Sequence, residues 1–225
     1  PRTMAMGVLS GLDISTIKAL PPNRTPIVTT TLPNNRRDAL ISRIKSAISK
    51  NSQVYWVCPL IDESESELIG IEDLEKILKK EFNSQEYEII HGKMKDSEKQ
   101  RILSDFKEKK TKILLATTVI EVGIDVPDAN IMIIENSERF GLAQLHQLRG
   151  RVGRGEKESF CILMHNDSLT ELSEKRLQII TETNDGFIIA EEDLKLRGPG
   201  DILGLSQTGQ PVSYTHLTLP TNGCV

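Results

Sequence analysis

Val54–Leu60, VYWVCPL, is a nearly unbroken apolar run rich in β-branched and aromatic side chains. A run without polar alternation reads as a strand buried on both faces, which is how strands look in a parallel sheet covered by helices on each side. Runs of similar character follow at Tyr87–His91 (YEIIH), Lys112–Ala116 (KILLA), Ile131–Glu135 (IMIIE) and Phe160–Met164 (FCILM). Each is predicted to be a strand of the same sheet.

Between these runs the apolar residues fall at helical spacing. Leu40, Ile41, Ile44, Ala47 and Ile48 mark a helix over Asp38–Lys50, and Ile71, Leu74, Ile77 and Leu78 mark one ending near Phe82. Ile102, Leu103 and Phe106 mark a third, for which Asp96 or Ser97 is the expected cap. Its closing run Lys107–Lys112 (KEKKTK) reads as cations at a helix C-terminus rather than a DNA patch. A further helix starts at Gly141. Strand and helix in alternation with short connections predict an α/β fold, a parallel sheet with helices on both faces. Ligands of such sheets lie at the C-terminal ends of the strands, so His91-Gly92, Thr117–Asp125 and Asn136–Arg139 are expected along one edge.

After Met164 the pattern changes. Ser173–Thr183 is helical, Asn184–Gly186 offers a stop, and Phe187–Leu196 forms a second short helix halted by Gly198-Pro199-Gly200. This is a helical hairpin, expected as an appendage rather than another sheet unit.

The 225 residues carry a formal net charge of -4, so nucleic-acid binding, if any, must come from local Lys and Arg clusters. Cys58, Cys161 and Cys224 show no C-x-x-C pair or zinc spacing, and the first two sit in strand-like runs where a reduced, buried thiol is expected. That points to the cytoplasm. No apolar run is long enough for a bilayer, and the N-terminus lacks the layout of a signal peptide. The first residue is Pro1, which suggests a fragment.

The densest chemistry lies in Leu145–Gly155, LHQLRGRVGRG, where Arg149, Arg151 and Arg154 alternate with Gly150, Gly153 and Gly155 beside His146 and Gln147. Guanidinium forks can each grip two phosphate oxygens and keep their charge at neutral pH, while glycine lets the backbone come close. Phosphate contact explains this spacing better than a solvated basic turn.

Gln147–Arg154 resembles the last signature motif of the superfamily 2 helicases, Q-x-x-G-R-x-G-R. Together with ATTVIEVGIDVPDA (Ala116–Ala129) and DLKLRGPGDILG (Asp193–Gly204), it is similar to the RecG-type branch of that superfamily over about residues 1–211. The resemblance implies a RecA-like second motor domain that meets ATP across a cleft. It divides the chain into an inter-domain segment (1–34), the RecA-like domain (35–166), a translocation hairpin and loop (167–211) and a tail (212–225). The tail, VSYTHLTLPTNGCV, shares nothing with the family and is expected to be a read-through or adapter-derived extension.

By match to the family motifs, Arg154 is the implied arginine finger, Arg151 its partner and Gln147 a sensor near the attacking water. Gly123 would let the backbone approach the nucleotide, and Asp125 would accept hydrogen bonds from ribose hydroxyls, unless it only makes an Asx turn before Pro127. Thr117 and Thr118 would donate to DNA phosphates with hydroxyl and backbone N–H, and His91 and Gly92 would follow the tracked strand's backbone. Arg149 would contact DNA or a neighbouring acid. Arg197 and Gln207 would couple domain closure to movement on duplex DNA, unless Arg197 pairs only with Asp193 or Asp201.

The implied activity is ATP-dependent remodelling of branched double-stranded DNA, forks and Holliday junctions, in recombination and repair. Mg²⁺ would enter with ATP. The sequence holds no G-x-x-x-x-G-K-[ST] stretch and no D-E-x-x pair for the metal, so those parts are expected from missing N-terminal motor and wedge domains. The chain alone is therefore not expected to hydrolyse ATP. The alternatives are an Mfd-like double-stranded DNA translocase and a non-catalytic nucleic-acid-binding module.

Overall fold

A computed structural model describes residues 26–59, 70–117, 126, 129–155 and 157–197. Its centre is a six-stranded, fully parallel sheet in the order β1-β6-β5-β2-β4-β3. The strands are β1 (Ile27–Pro33), β2 (Gln53–Cys58), β3 (Tyr87–Ile90), β4 (Ile113–Thr117), β5 (Ala129–Ile134) and β6 (Ser159–His165). The helices are α1 (Arg37–Ser49), α2 (Ile71–Glu81), α3 (Asp96–Lys107), α4 (Leu142–Arg149), α5 (Glu171–Glu182) and α6 (Gly186–Arg197).

The strand at VYWVCPL is central and feeds both faces, as its unbroken apolar run implies. Val54, Trp56 and Cys58 pack with Leu40, Ile41 and Ile44 of α1 and Leu74 and Leu78 of α2. On the other face, Val57 joins Leu142 and Leu145 of α4 and Leu177 and Ile180 of α5, while Tyr55 reaches Phe106 of α3 with ring centroids 5.1 Å apart. This split follows from the two-residue period of a strand, which sends successive side chains to opposite sides. Cys58 and Cys161 are both buried free thiols, and burial pushes each up to about 12, so they stay protonated at neutral pH. Among the described residues, no helix is long and apolar enough to cross a membrane.

Three expectations change. Residues 27–33, read as part of an inter-domain segment, form an edge strand paired along its whole length with β6. Three successive threonines hid the strand's alternation, although threonine itself favours strands. The hairpin is not a mere appendage either, because Leu177, Ile180 and Ile189 share a core cluster with Ile27, Cys161 and Leu163. Without α5, that face of the β1–β6 edge would be open to water. Finally, the residue at the N-cap of α3 is Lys95, with no side-chain cap. Asp96 and Glu98 lie in the first turn, where their charges favour the helix dipole instead.

The C-terminal ends of β1, β2 and β5 are joined by a buried ion pair. Arg37 at the start of α1 meets Glu135, just after β5, through Nη1 to Oε1 and through Nη2 to Oε2 at 2.8 Å. Trp56 of β2 donates its indole N–H to Glu135 Oε1 at 2.8 Å. The Glu135 side chain is 0% exposed and that of Arg37 11%. Removing one partner strands a buried charge, whereas removing both leaves only the neutral Trp56 indole N–H without its acceptor, a smaller cost. Arg37→Met is therefore expected to destabilise the fold by about 3–5 kcal/mol, with Arg37→Met/Glu135→Leu recovering much of that loss. Denaturant unfolding of the three proteins decides it; an additive double variant would mean that the two charges are not coupled.

Candidate phosphate-contact site

The site is built on α4 and the turn that follows it. Gln144 Oε1 accepts the Gly141 N–H at 3.0 Å and so fixes the start of the helix. Its length is 8 residues, and the backbone then continues as tight turns, Gly150 N to His146 O, Arg151 N to Leu148 O and Val152 N to Arg149 O at 3.0, 3.0 and 3.3 Å. Leu142, Leu145, Arg149 and Val152 make the buried stripe, with exposures of 0%, 0%, 2% and 0%. Those positions recur at helical spacing, which carries Gln147 off that stripe, and Arg151 and Arg154 follow in the turn beyond the helix. Gln147 and Arg154 are exposed and Arg151 is half-buried. Gly153 has φ 78, a backbone that other residues adopt only with strain, and it sets Arg154 beyond the buried Val152.

The helix and its turn thus carry an amide and two guanidinium groups on an anchored backbone, a set whose chemistry suits the oxygens of a polyphosphate. The described residues include no group of three His, Cys, Asp or Glu able to hold a metal.

Arg149 is not part of that surface. Its Nη1 donates to Ile180 O at 2.6 Å, Thr183 O at 2.9 Å and Thr29 Oγ1 at 3.4 Å, and its Nη2 meets His146 Nδ1 at 3.2 Å. Burial holds its pKa below the usual arginine value. The expected DNA contact at Arg149 is thus corrected: the residue faces inward and binds the carbonyl end of α5. Its place in the Leu142–Val152 stripe was the signal that could have revealed this.

The single chemical edge also gives way to two places. Ile90 pairs with Ala116, so His91 and Thr117 end neighbouring strands at one rim. His91 is half-buried, Gly92 is exposed, and the His91 O to Met94 N turn at 3.2 Å is braced by Lys99 Nζ on Gly92 O at 3.1 Å. α4 must carry the chain from the end of β5 back to the start of the parallel β6, so the arginine turn lies toward the other end of the sheet. The contact of Arg149 with Thr29, whose register partner is Cys161 early in β6, fixes that level. Thr117 is only 4% exposed and its hydroxyl is buried, so the expected phosphate contact through that hydroxyl is corrected as well. Thr118, Gly123, Asp125 and Gln207 lie outside the described residues. Arg197 is the last residue of α6.

Sequence reasoning missed Arg176. From α5 it donates to Phe140 O at 2.8 Å and to Glu138 O at 3.0 Å, clasping the 3-10 turn Ser137–Arg139 that leads into α4.

Residues 35–156 match the helicase conserved C-terminal domain family. The chain belongs to that family. Residues 183–216 match a second description, ATP-dependent DNA helicase RecG, domain 3, C-terminal. The chain is 52% identical over 211 residues to the ATP-dependent DNA helicase RecG of Pasteurella multocida and 51% identical to that of Haemophilus influenzae. In both cases 93% of this chain aligns and spans 30% of the relative's length. Among solved structures it resembles RecG bound to a three-way DNA junction, with TM-score 0.72 and 44% identity, covering 89% of this chain and 26% of that one.

In the clasped turn, burial raises the Glu138 carboxyl above its ordinary value of 4.5, and the nearby backbone N–H groups, His165 and Arg139 offset part of that. An acid with a raised folded pKa stabilises the fold below its unfolded pKa and loses that contribution as pH rises through the folded one. Glu138→Gln is thus expected to raise the melting temperature at pH 7 and to lose the advantage below about pH 4. Thermal scans across that range check it, and a variant that melts lower at pH 7 would contradict the assigned cause.

Proposed function

We propose that this chain is the second motor domain of a RecG-type ATP-dependent DNA helicase that remodels forks and junctions. The observation that carries the proposal is α4 with the turn after it, where Leu142, Leu145, Arg149 and Val152 are buried while Gln147 and Arg154 are exposed and Arg151 is half-buried. The similarity at 183–216 favours RecG over an Mfd-like translocase.

Phosphoryl transfer depends mainly on positioning and on stabilising charge at the transferred phosphoryl group. When ATP and Mg²⁺ are bound by the preceding motor domain, they supply the phosphoryl group and its metal; the metal's ligands lie outside this chain. Arg154 neutralises charge on the terminal phosphate from across the cleft, and Arg151 adds a second fork beside it. Gln147, on the same side of α4, orients the attacking water. Gly123 gives the nucleotide room at the backbone, and Asp125 accepts from its ribose hydroxyls.

On the nucleic-acid side, His91, Gly92 and Thr118 hold the phosphate backbone of branched double-stranded DNA. Arg197 and Gln207 pass domain closure on to the duplex. The protein works in the cytoplasm, where DNA and ATP are both present.

In the protein that joins this chain to its first motor domain, Arg154→Ala is expected to lower DNA-stimulated ATP hydrolysis by about 10³-fold or more while fork binding persists. Phosphate release and fork gel shifts measure the two. Unchanged turnover would remove Arg154 from the finger role. The chain alone should release no phosphate above background.

A further inference from the structure

Two turns at the C-terminal ends of the strands share a design that the arginine turn after α4 does not use. Asn34–Arg36 follows β1 and Ser137–Arg139 follows β5, and these are the 3-10 turns of the described residues. Each closes with an exposed arginine, Arg36 in one and Arg139 in the other. β6 runs between the two strands, so the spacing of neighbouring strands puts the turns about 10 Å apart.

Both turns are fastened to the end of β6 and the loop after it. Asn34 Nδ2 donates to Asn166 Oδ1 at 2.8 Å, and Asn35 Nδ2 donates to Asp167 Oδ1 at 3.2 Å. Ser137 Oγ donates to Met164 O at 2.8 Å, and the Arg139 N–H closes the turn on Asn136 O at 3.0 Å. A cation carried on a fixed backbone loses less freedom on meeting a ligand than one on a loose loop. The neighbours of the two arginines serve the fold instead. Arg37 turns in to Glu135 and Phe140 is buried, while Arg36 and Arg139 stay at the surface.

The chain carries a formal net charge of -4, so a hold on phosphate has to come from local cations such as these. Of the carboxylates nearby, Glu135 is neutralised by Arg37 and Glu138 is half-buried next to Arg139. Asp38 and Asp167 are exposed, but their side chains are short, whereas a guanidinium fork reaches further and grips two oxygens at once. From β1 to β3 the rim crosses five strand intervals, about 24 Å in all. One strand of a DNA duplex advances by about seven nucleotides over that length, at about 3.4 Å each.

We propose that Arg36 and Arg139 hold two further phosphates of a duplex arm, extending the DNA contact of His91 and Gly92 along the C-terminal rim of the sheet to its β1 edge. This deepens the proposed function and rests on it. The contacts are to the backbone alone, so they set affinity and position without reading base sequence.

In the full protein with both motor domains, fork binding is measured by fluorescence anisotropy over a range of salt concentrations. Arg36→Ala and Arg139→Ala are each expected to flatten the slope of log affinity against log salt by about 0.9, and the double variant by about twice that, whatever the base sequence. The loss of affinity between about 50 and 200 mM salt then shrinks about 3.5-fold for each arginine removed. Lysine at either position should keep most of the slope, because the charge stays. Asp167→Asn keeps an acceptor for Asn35 and should tighten binding. Arg43→Ala removes the same charge from an exposed position on α1 and should leave the slope as it is.

An unchanged slope in either arginine variant would overturn that residue's contact, and an equal change in Arg43→Ala would overturn both, with the motor reading left in place. Fork binding by the wild-type protein that does not vary with salt would instead remove the DNA side of the proposed function, and the extended track with it.

Discussion

The structure depends on the way an eight-residue helix and the turn after it divide three arginines between two environments. In α4 and its turn, Leu142, Leu145, Arg149 and Val152 are buried, and this leaves Gln147 and Arg154 exposed with Arg151 between the two extremes. The buried arginine is satisfied by main-chain carbonyls of α5 and by His146. Three arginines within six residues would repel one another on a single face. Placing one against the negative end of a helix dipole lowers that repulsion and fixes the direction of the other two.

The sheet sets where that division can act. Parallel strands require every connection to return the chain to the starting end, and α4 performs that return between β5 and β6. The arginine turn consequently lies away from the rim formed by His91 and Thr117, close to the first residues of β1 and to the hairpin turn. At the rim, the Arg37–Glu135 pair and the Trp56 indole tie β1, β2 and β5 together. The two ends of the sheet thus carry different duties, a rigid rim at one and a linkage between helices at the other.

The parallel sheet with helices on both faces was legible because β2, β4 and β5 are apolar without alternation, and the helices because their apolar residues repeat at the right spacing. The edge strand was not, since Thr29, Thr30 and Thr31 look polar in a sequence yet suit a strand. The glycine-arginine spacing singled out Gln147, Arg151 and Arg154 as a group, and the structure leaves Gln147 and Arg154 exposed and Arg151 half-buried. The inward role of Arg149 was not, because composition treats all arginines alike and only the helical phase separates them. Arg37 and Arg176 escaped notice because their partners, Glu135 and the carbonyls of Glu138 and Phe140, lie 98, 38 and 36 positions away. Strand order likewise has no local signal.

The most direct measurement is a structure of the protein with both motor domains, Mg²⁺ and a non-hydrolysable ATP analogue. Arg154 should lie about 3 Å from an oxygen of the terminal phosphate, with Arg149 still on the carbonyls of Ile180 and Thr183. A nucleotide seated with Arg151 and Arg154 turned away from it, or with Arg149 withdrawn from α5 to meet the phosphate, would contradict the division of roles along α4.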